Sequence, residues 1–336
     1  MTYSQQITIE SSPFALQNEP APEMRWAAQE LISPGEFDES IGALWCNMSA
    51  SKRPNFHLAL LDDLARAQAA VRAGLTHDAS GLLPAVRTVV LASRSPGVYN
   101  LGGDLGLFAD YIRSQDRARL TEYAHRCADI VFNSSEGYGG GVTTVALVQG
   151  QALGGGFEAA LSCHVIIAER GARLGLPEVM FNLFPGMGAY SFLSRRLSAA
   201  AAERLILSGK VYTAEELHGM GLVDVLAEDG EGVAAVRQHV RELDRRPMSR
   251  RAMRHVCNAV NPVSRAELIE VTDIWVETAL RLCEDDLRRM QRLVAAQDRR
   301  RPTPASYSCL WAAPYVACLS VSQAQLALPI PASPVA

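Results

Sequence analysis

The amino-acid sequence predicts an α/β fold in which short, buried strands alternate with helices. Three apolar segments rich in β-branched residues support this prediction, at residues 88–93, 143–150 and 164–169. Strands that are buried on both faces of a parallel sheet have this composition. The first two segments are each followed by a glycine turn and a helical pattern, and a repeat of strand, turn and helix is typical of a parallel sheet covered by helices.

The first half of the chain supplies the elements of this repeat in order. Residues 41–48 are a further strand candidate, and a helix is predicted over 57–75 because apolar side chains recur on one helical face. Asp104 follows the first glycine turn and is expected to begin a helix, since a short acidic side chain accepts hydrogen bonds from the exposed N–H groups of a first turn. A long helix is predicted over 116–133.

The second half of the chain is predicted to be mostly helical. Thr213 is expected to cap a short helix that ends near Gly219 or Gly221, and residues 222–228 are predicted to form a strand. The region 233–300 contains no glycine and is predicted to be a helical layer that packs on the core or on another subunit. Its helical spacing groups these apolar residues: Leu268, Val271, Ile274, Trp275, Ala279, Leu282, Leu287, Met290 and Leu293.

Composition places the chain among ordinary globular proteins. Its 336 residues carry a net charge of −4, which gives no general attraction to nucleic acid or to an anionic membrane. Residues 1–22 are polar and are expected to form a flexible arm. Residues 301–336 carry almost no charge and are expected to be a disordered tail. The apolar stretch around Pro314 is too short for a membrane span, which needs roughly 20 apolar residues.

Cysteines and histidines indicate neither disulfides nor a metal site. The seven cysteines are scattered singly and the N-terminus lacks the pattern of a secretion signal, so the thiols are interpreted as reduced and the protein as cytoplasmic. The seven histidines show no metal-ligand spacing, and no metal or other cofactor is expected. His164 is interpreted as a hydrogen-bonded residue at a strand end, and Ser162–Cys163 lies outside a nucleophile-elbow motif.

Two glycine turns are the first candidate functional feature. Gly102–Gly103 and Gly154–Gly156 each follow a predicted strand. Such turns expose backbone N–H groups at the positive end of the next helix, where a phosphate or an oxyanion binds. Phosphate-binding fingerprints fail, because Ala159 occupies the place of the third glycine and no Gly-Lys-Ser/Thr sequence is present. An oxyanion hole and a purely structural turn remain as the alternatives.

Two glutamates in apolar surroundings are the second feature. Glu158 lies on the first turn of the helix that the triple glycine begins, and Glu178 follows Pro177. An apolar pocket raises the pKa of a carboxyl group, which suits general acid–base catalysis near neutral pH. The structural alternatives are a glutamate stabilised by the helix dipole at position 158 and a solvated loop carboxylate at position 178.

At these residues the chain resembles the crotonase superfamily of enoyl-CoA hydratases and isomerases. The segments NLGGDL, at residues 100–105, and ALGGGFEAAL, at residues 152–161, resemble the two oxyanion turns of that family. The resemblance implies an α/β spiral of repeated ββα units over residues 23–232, which holds the active site. A C-terminal helical layer over 233–300 is expected to mediate oligomerisation.

The resemblance also implies roles for four residues. The backbone amides of Gly103 and Gly155 correspond to the oxyanion hole, and Glu158 and Glu178 correspond to the two catalytic acids of true hydratases. Because both acids are present, the resemblance favours hydration or dehydration over isomerase or dehalogenase chemistry.

One branch of the superfamily is similar over longer segments. ALVQGQALGGGFEAALSCHVIIAE and GLPEVMFNLFPGMGAYSF resemble the diffusible signal factor synthases, bacterial enzymes that make cis-2-unsaturated fatty acid quorum-sensing signals. The resemblance implies dehydration of a 3-hydroxyacyl thioester on acyl carrier protein, followed by hydrolysis to the free acid. In this scheme Glu178 moves the C2 proton, while Glu158 protonates the leaving hydroxyl and then activates water, although the two acids could exchange roles.

Other properties follow from the same resemblance. The substrate would be a thioester of acyl carrier protein or of coenzyme A, and the protein would form a trimer or a dimer of trimers. An ordinary enoyl-CoA hydratase uses the same four residues and is the main alternative. A regulatory protein that docks a sensor kinase is a third interpretation, and such binding is compatible with catalysis.

Overall fold

The computed structural model describes residues 32–49, 53–77 and 86–299. Within these ranges strands and helices alternate up to residue 227, and only helices follow. The predicted arm at 1–22 and the predicted tail at 301–336 lie outside the described residues.

The described chain contains ten strands in two sheets. They are β1 Ile32–Asp38, β2 Ala43–Met48, β3 Thr88–Ser93, β4 Val98–Asn100, β5 Thr143–Val148, β6 Gln151–Leu153, β7 Val165–Glu169, β8 Arg173–Gly175, β9 Val211–Thr213 and β10 Val225–Ala227. The large sheet has the order β1-β2-β3-β5-β7-β10 and the small sheet the order β4-β6-β8-β9. Only the β1–β2 and β8–β9 pairs are antiparallel.

Helices connect and cover these sheets. They are α1 Leu58–His77, α2 Leu105–Arg113, α3 Arg117–Ser135, the single turn α4 Gly137–Gly140, α5 Gly155–Ser162, α6 Ala189–Arg196, α7 Ala199–Ser208, α8 Ala214–Gly219, α9 Gly232–Asp244, α10 Pro247–Val260, α11 Arg265–Ala279 and α12 Glu284–Arg299. A 3-10 helix spans Pro177–Phe181.

The chain forms the predicted spiral of ββα units. In each of three central repeats one strand enters the large sheet, the next enters the small sheet and a helix follows: β3-β4-α2, β5-β6-α5, and β7-β8 with the 3-10 helix. Strands β4, β6 and β8 run parallel, so their carboxyl ends lie along one edge of the small sheet. The fold class predicted from the sequence is therefore confirmed.

The central strands contain unbroken apolar runs, such as residues 145–148 of β5, because both of their faces are buried there. In β5, Val145 and Leu147 pack into one hydrophobic cluster, whereas Ala146 and Val148 pack into the other. Alternate side chains of a strand point to opposite faces, so two buried faces require an unbroken apolar sequence. Each fully buried aliphatic side chain contributes about 1.5–3 kcal/mol.

Helices α2 and α8 begin at the predicted capping residues. The side chain of Asp104 accepts a hydrogen bond from the Leu107 N–H at 3.2 Å and so begins α2. Asp116 caps α3 in the same way. Thr213 and Glu216 form a reciprocal capping box at α8. Each side-chain cap stabilises its helix by about 1 kcal/mol.

The C-terminal helices cover the core less completely than the periodicity predicts. Leu268 and Met290 are buried, as expected, and α12 packs on α2 and on the 3-10 helix. Ile274 is 55% exposed in the single chain, so of the two predicted partners, the core and another subunit, the core does not cover it. On α10 these apolar side chains are exposed: Met248, Met253, Val256 and Val260.

Some strand boundaries differ from the sequence prediction. The strand predicted at 143–150 ends at Val148, because Gln149 and Gly150 carry the chain from the large sheet to the small one. The strand predicted at 222–228 is limited to Val225–Ala227. The sequence does not predict the three-residue strands of the small sheet, because so few residues show no periodicity. It does not predict β1 either, because Pro34 and Gly35 interrupt the strand pattern, and the pairing with β2 shifts register there.

Candidate active site

The two glycine turns lie against each other at the edge of the small sheet. Gly102 has a φ of +88°, which a residue with a side chain rarely adopts. A Cβ atom on Gly102 would lie 2.7 Å from the Leu153 carbonyl oxygen and 2.9 Å from the Gly155 nitrogen. Only glycine allows the first turn to approach the second this closely.

The backbone N–H groups of Gly103 and Gly155 donate to no acceptor within the part of the chain that the structure describes. Gly155 is the first residue of α5, where N–H groups have no partner inside the helix. The neighbouring amides are held, since the Gly102 N–H donates to Asn100 Oδ1 at 2.8 Å and the Asp104 N–H donates to Tyr123 Oη at 3.2 Å. Two N–H donors from neighbouring turns thus have no partner among the described residues, as the predicted oxyanion hole requires.

Glu158 lies on the first turn of α5 and is only 2% exposed. Its Oε1 atom accepts hydrogen bonds from the N–H groups of Met187 at 2.7 Å and Ala189 at 2.9 Å. Burial raises the pKa of Glu158 to about 7, although the two N–H donors act in the opposite direction. This carboxyl group can both release and accept a proton near neutral pH.

Glu178 is the second residue of the 3-10 helix and faces the second glycine turn. A Cβ atom on Gly154 would lie 2.5 Å from Glu178 Oε1, so the turn must be glycine for this carboxyl group to fit. The Oε2 atom is buried and has no hydrogen-bond partner among the described residues. Burial, and then the charge of Glu158, raise the pKa of Glu178 well above its usual range. Ionisation of one acid therefore disfavours ionisation of the other.

An apolar cavity contains both carboxyl groups and both glycine turns. Its walls come from helices outside the repeats as well as from the turns, and include Leu101, Phe108, Tyr123, Cys127, Phe181, Leu183, Met187, Trp275 and Leu293. The Phe108 ring contacts Tyr123 and Trp275 edge-to-face, with centroids 5.0 and 5.1 Å apart. Burial raises the pKa of the Cys127 thiol to about 12, so the thiol stays protonated at neutral pH.

Comparison with known proteins identifies the family. The family described as Enoyl-CoA hydratase/isomerase matches residues 56–290. The chain belongs to the enoyl-CoA hydratase/isomerase family. The predicted superfamily is thereby confirmed, and the comparisons support a hydratase-type lyase.

Individual relatives agree with this assignment to the enoyl-CoA hydratase/isomerase family. The chain is 32% identical over 221 residues to the mitochondrial methylglutaconyl-CoA hydratase of Rattus norvegicus. The aligned region covers 65% of this chain and 67% of the relative. It is 31% identical to the human protein of that name over 221 residues, which covers 65% of this chain and 62% of the relative. The crystal structure of enoyl-CoA hydratase from Bacillus halodurans superposes with a TM-score of 0.64 at 22% identity, covering 78% of this chain and 99% of that one.

The structure brings the four residues singled out from the sequence to one cavity. Sequence reasoning missed the residues that position them. Asn100 holds the first turn, and its place before two glycines is an Asx-turn signal that the sequence does contain. Met187 and Ala189 act through backbone N–H groups, for which side-chain identity gives no signal.

No helix within the described ranges is long and apolar enough to cross a membrane.

Proposed function

We propose that the protein dehydrates a 3-hydroxyacyl thioester of acyl carrier protein and hydrolyses the enoyl thioester to a free cis-2-unsaturated fatty acid, a quorum-sensing signal. The observation that carries this proposal is a pair of acids with buried carboxyl groups, Glu158 and Glu178, beside two backbone N–H groups that have no partner among the described residues. An enolate and a tetrahedral intermediate both place negative charge on the thioester oxygen, so one pair of N–H donors serves both steps.

Dehydration uses the pair with one proton, carried by Glu158. The Glu178 carboxylate takes a proton from C2 of the substrate, and the N–H groups of Gly103 and Gly155 stabilise the enolate. Glu158 protonates the hydroxyl at C3, the C3–O bond breaks, and water leaves. The step ends with Glu158 ionised and Glu178 protonated. In this final arrangement the ionised Glu158 accepts two N–H hydrogen bonds, whereas Glu178 Oε2 accepts none from the described residues.

Hydrolysis starts from this second arrangement. The Glu158 carboxylate takes a proton from a water molecule, whose oxygen attacks the thioester carbonyl. The tetrahedral intermediate breaks its C–S bond, and Glu178 protonates the leaving sulfur. Glu158 is then protonated and Glu178 ionised, so the pair is ready for another substrate. Cys127 has no role as a nucleophile because its thiol stays protonated.

An ordinary enoyl-CoA hydratase is the second candidate, and the curated relatives favour it. It would use the same acids and the same N–H donors but would add water reversibly to an enoyl-CoA. Both candidates predict activity that depends on the two acids. Only the synthase releases a free acid.

Mass spectrometry of reaction products tests the proposal. Purified protein is given a medium-chain 3-hydroxyacyl carrier protein, and in parallel the matching enoyl-CoA. Release of a free cis-2-enoic acid that is lost in Glu158→Gln and Glu178→Gln supports the synthase. Glu203→Gln, an exposed change on α7, is the matched control and should keep full activity. Reversible hydration of enoyl-CoA without free acid would instead establish the hydratase.

A further inference from the structure

Four basic side chains form a second polar site, and none of them lines the cavity described above. They are His164 before β7, His239 on α9, and Arg250 and Arg254 on α10; we refer to them as the basic cluster. Each has one buried nitrogen that finds no hydrogen-bond partner among the described residues: His164 Nε2, His239 Nε2, Arg250 Nε and Arg254 Nη1. Buried donors without acceptors are rare in folded proteins and call for an explanation.

His164 and Arg254 contact the amino end of β5, and Arg250 lies close to His164 and to His239. Arg250 and Arg254 are one turn apart and share a face of α10. Arg254 Nη2 donates to Thr143 Oγ1 at 3.4 Å, at the start of β5. The neighbouring Thr144 N–H donates to His164 Nδ1 at 3.0 Å. The charge of Arg250 lowers the pKa of His164 and also that of His239, so Arg250 lies near both rings.

His164 is a neutral donor in this cluster. Its Nδ1 accepts the Thr144 N–H, so the hydrogen of the neutral ring is on Nε2. Burial, followed by the charge of Arg254, lowers the pKa of His164 to about 3, so the ring is neutral at physiological pH. The Ser135 carbonyl lies near enough to favour the charged ring but forms no hydrogen bond to Nε2.

The two arginines are uncompensated charges. No ion pair joins either of them to a carboxylate within the ranges that the structure describes, and burial, followed by the charge of Arg250, lowers the pKa of Arg254 to about 10. Three carboxylates act on the cluster, and each already binds another side chain: Asp224 binds Arg196, Asp244 binds Arg87, and Glu242 binds Gln238. Two partly buried guanidinium groups side by side are unfavourable unless an anion joins them.

We propose that the basic cluster is a binding site for a phosphoryl dianion, either inorganic phosphate or the terminal group of a phosphomonoester. A dianion compensates both guanidinium charges, whereas a carboxylate compensates one. The oxygens of a tetrahedral phosphoryl group accept hydrogen bonds from several directions, which suits donors arriving from α9, from α10 and from the start of β7. This site is independent of the acid pair and does not rest on the proposed function.

The test is a titration of the full-length protein with inorganic phosphate, in which the heat of binding is measured by calorimetry. The protein solution contains chloride salt at the same ionic strength as the phosphate solution. We expect saturable binding to the wild type that is weakened at least about tenfold in Arg250→Gln and in Arg254→Gln, since each removes a charged hydrogen-bond donor. Arg241→Gln is the matched control, because it removes the same charge from an exposed position on α9 and should bind like the wild type. Acetate should not bind.

Thermal unfolding gives a second measurement, which stays informative when a variant differs in stability, because each protein is compared with and without phosphate. Without phosphate, Arg254→Gln should melt at or above the wild-type temperature, because it removes an unpaired charge. Saturating phosphate should reverse this order. His239→Leu, which removes the ring nitrogens without changing the charge of either arginine, should also weaken binding.

A parallel titration with phenyl phosphate distinguishes the two sources of the phosphoryl group. Binding of both ligands indicates a site open to phosphomonoesters, and binding of inorganic phosphate alone indicates a closed ion site; either pattern supports the proposal. Equal heats in the wild type and in both arginine variants, or equal binding of acetate, would overturn it.

Discussion

Replacing Gly102 by alanine should separate the geometry of the two turns from the stability of the fold. Gly102 has a φ of +88°, and a Cβ atom there would lie 2.7 Å from the Leu153 carbonyl oxygen and 2.9 Å from the Gly155 nitrogen. Gly221 offers a matched control, because its φ is +77° and nothing lies within 4 Å of a Cβ atom built on it. Alanine at either position carries the same backbone strain, but only Gly102→Ala pushes the turns apart.

The expected magnitudes follow from these contacts. Left-handed backbone costs an alanine about 1–2 kcal/mol, so both variants should lose that much unfolding free energy. Relieving the contact at 2.7 Å to an ordinary 3.4 Å requires a backbone shift of 0.7 Å (3.4 − 2.7 = 0.7). Catalytic groups must stay within about 0.5 Å of their working geometry. Gly102→Ala should therefore lose one oxyanion donor and about 10²–10³ in kcat, while Gly221→Ala keeps its rate.

Urea unfolding and steady-state kinetics on a medium-chain enoyl thioester provide the two measurements. Gly102→Ala should lose more stability than Gly221→Ala, because it must also relieve these close contacts, and only Gly102→Ala should lose rate. Equal rates in both variants would refute the view that the approach of the two turns sets the oxyanion hole. A similar rate loss in both variants would show that general backbone strain, and not the turn geometry, controls activity.

Three further predictions test the acids and the core. Glu158→Gln should be more stable than the wild type at pH 8 by on the order of 3 kcal/mol. Burial raises the folded pKa to about 7 from an ordinary 4.5, so the wild type loses stability as the pH rises from about 4.5 to about 7. The difference between the urea midpoints of the wild type and Glu158→Gln should decrease towards pH 5, and a difference that does not depend on pH would contradict this. Cys127→Ala should keep product formation within about threefold, since a protonated thiol is no nucleophile; a hundredfold loss would assign the thiol a chemical role. Ile166→Ala should cost about 2–5 kcal/mol in chemical denaturation without changing kcat per folded molecule, whereas Val211→Ala on an exposed strand should cost far less.

The sequence predicts the parts of this molecule that depend on local chemistry. The buried strands are recognisable because two apolar faces require an unbroken apolar run, and helix starts are recognisable from caps such as Asp104 and Thr213. The two turns and the two glutamates stand out because glycine triplets and buried acids are both costly unless the fold uses them. Their assembly at one cavity depends on pairings between distant strands, which no local pattern encodes.

Periodicity alone also cannot identify what covers an apolar face. Ile274 follows the helical pattern of α11 but remains exposed in the single chain. Helix α10 turns Arg250 and Arg254 towards the sheet and leaves apolar residues outside, the reverse of a typical surface helix. The proposed oligomer contact over 233–300 would explain the exposed side of α10, and the proposed phosphoryl site would explain its basic side.

The repeat itself explains why chemistry and substrate choice are separable in this fold. Three residues of the candidate site follow strands of the small sheet. Gly103 lies three residues after the end of β4, Gly155 two residues after β6, and Glu178 three residues after β8. Those strands are parallel neighbours, so their ends bring donors and acid together whatever substrate is bound. The distant cavity walls come instead from α3, α11 and α12, through residues such as Cys127, Trp275 and Leu293. Since a synthase and a hydratase would share the strand-end residues, we expect the cavity walls to contribute to the difference between them, and exchanging wall residues should alter the products without altering the acid pair.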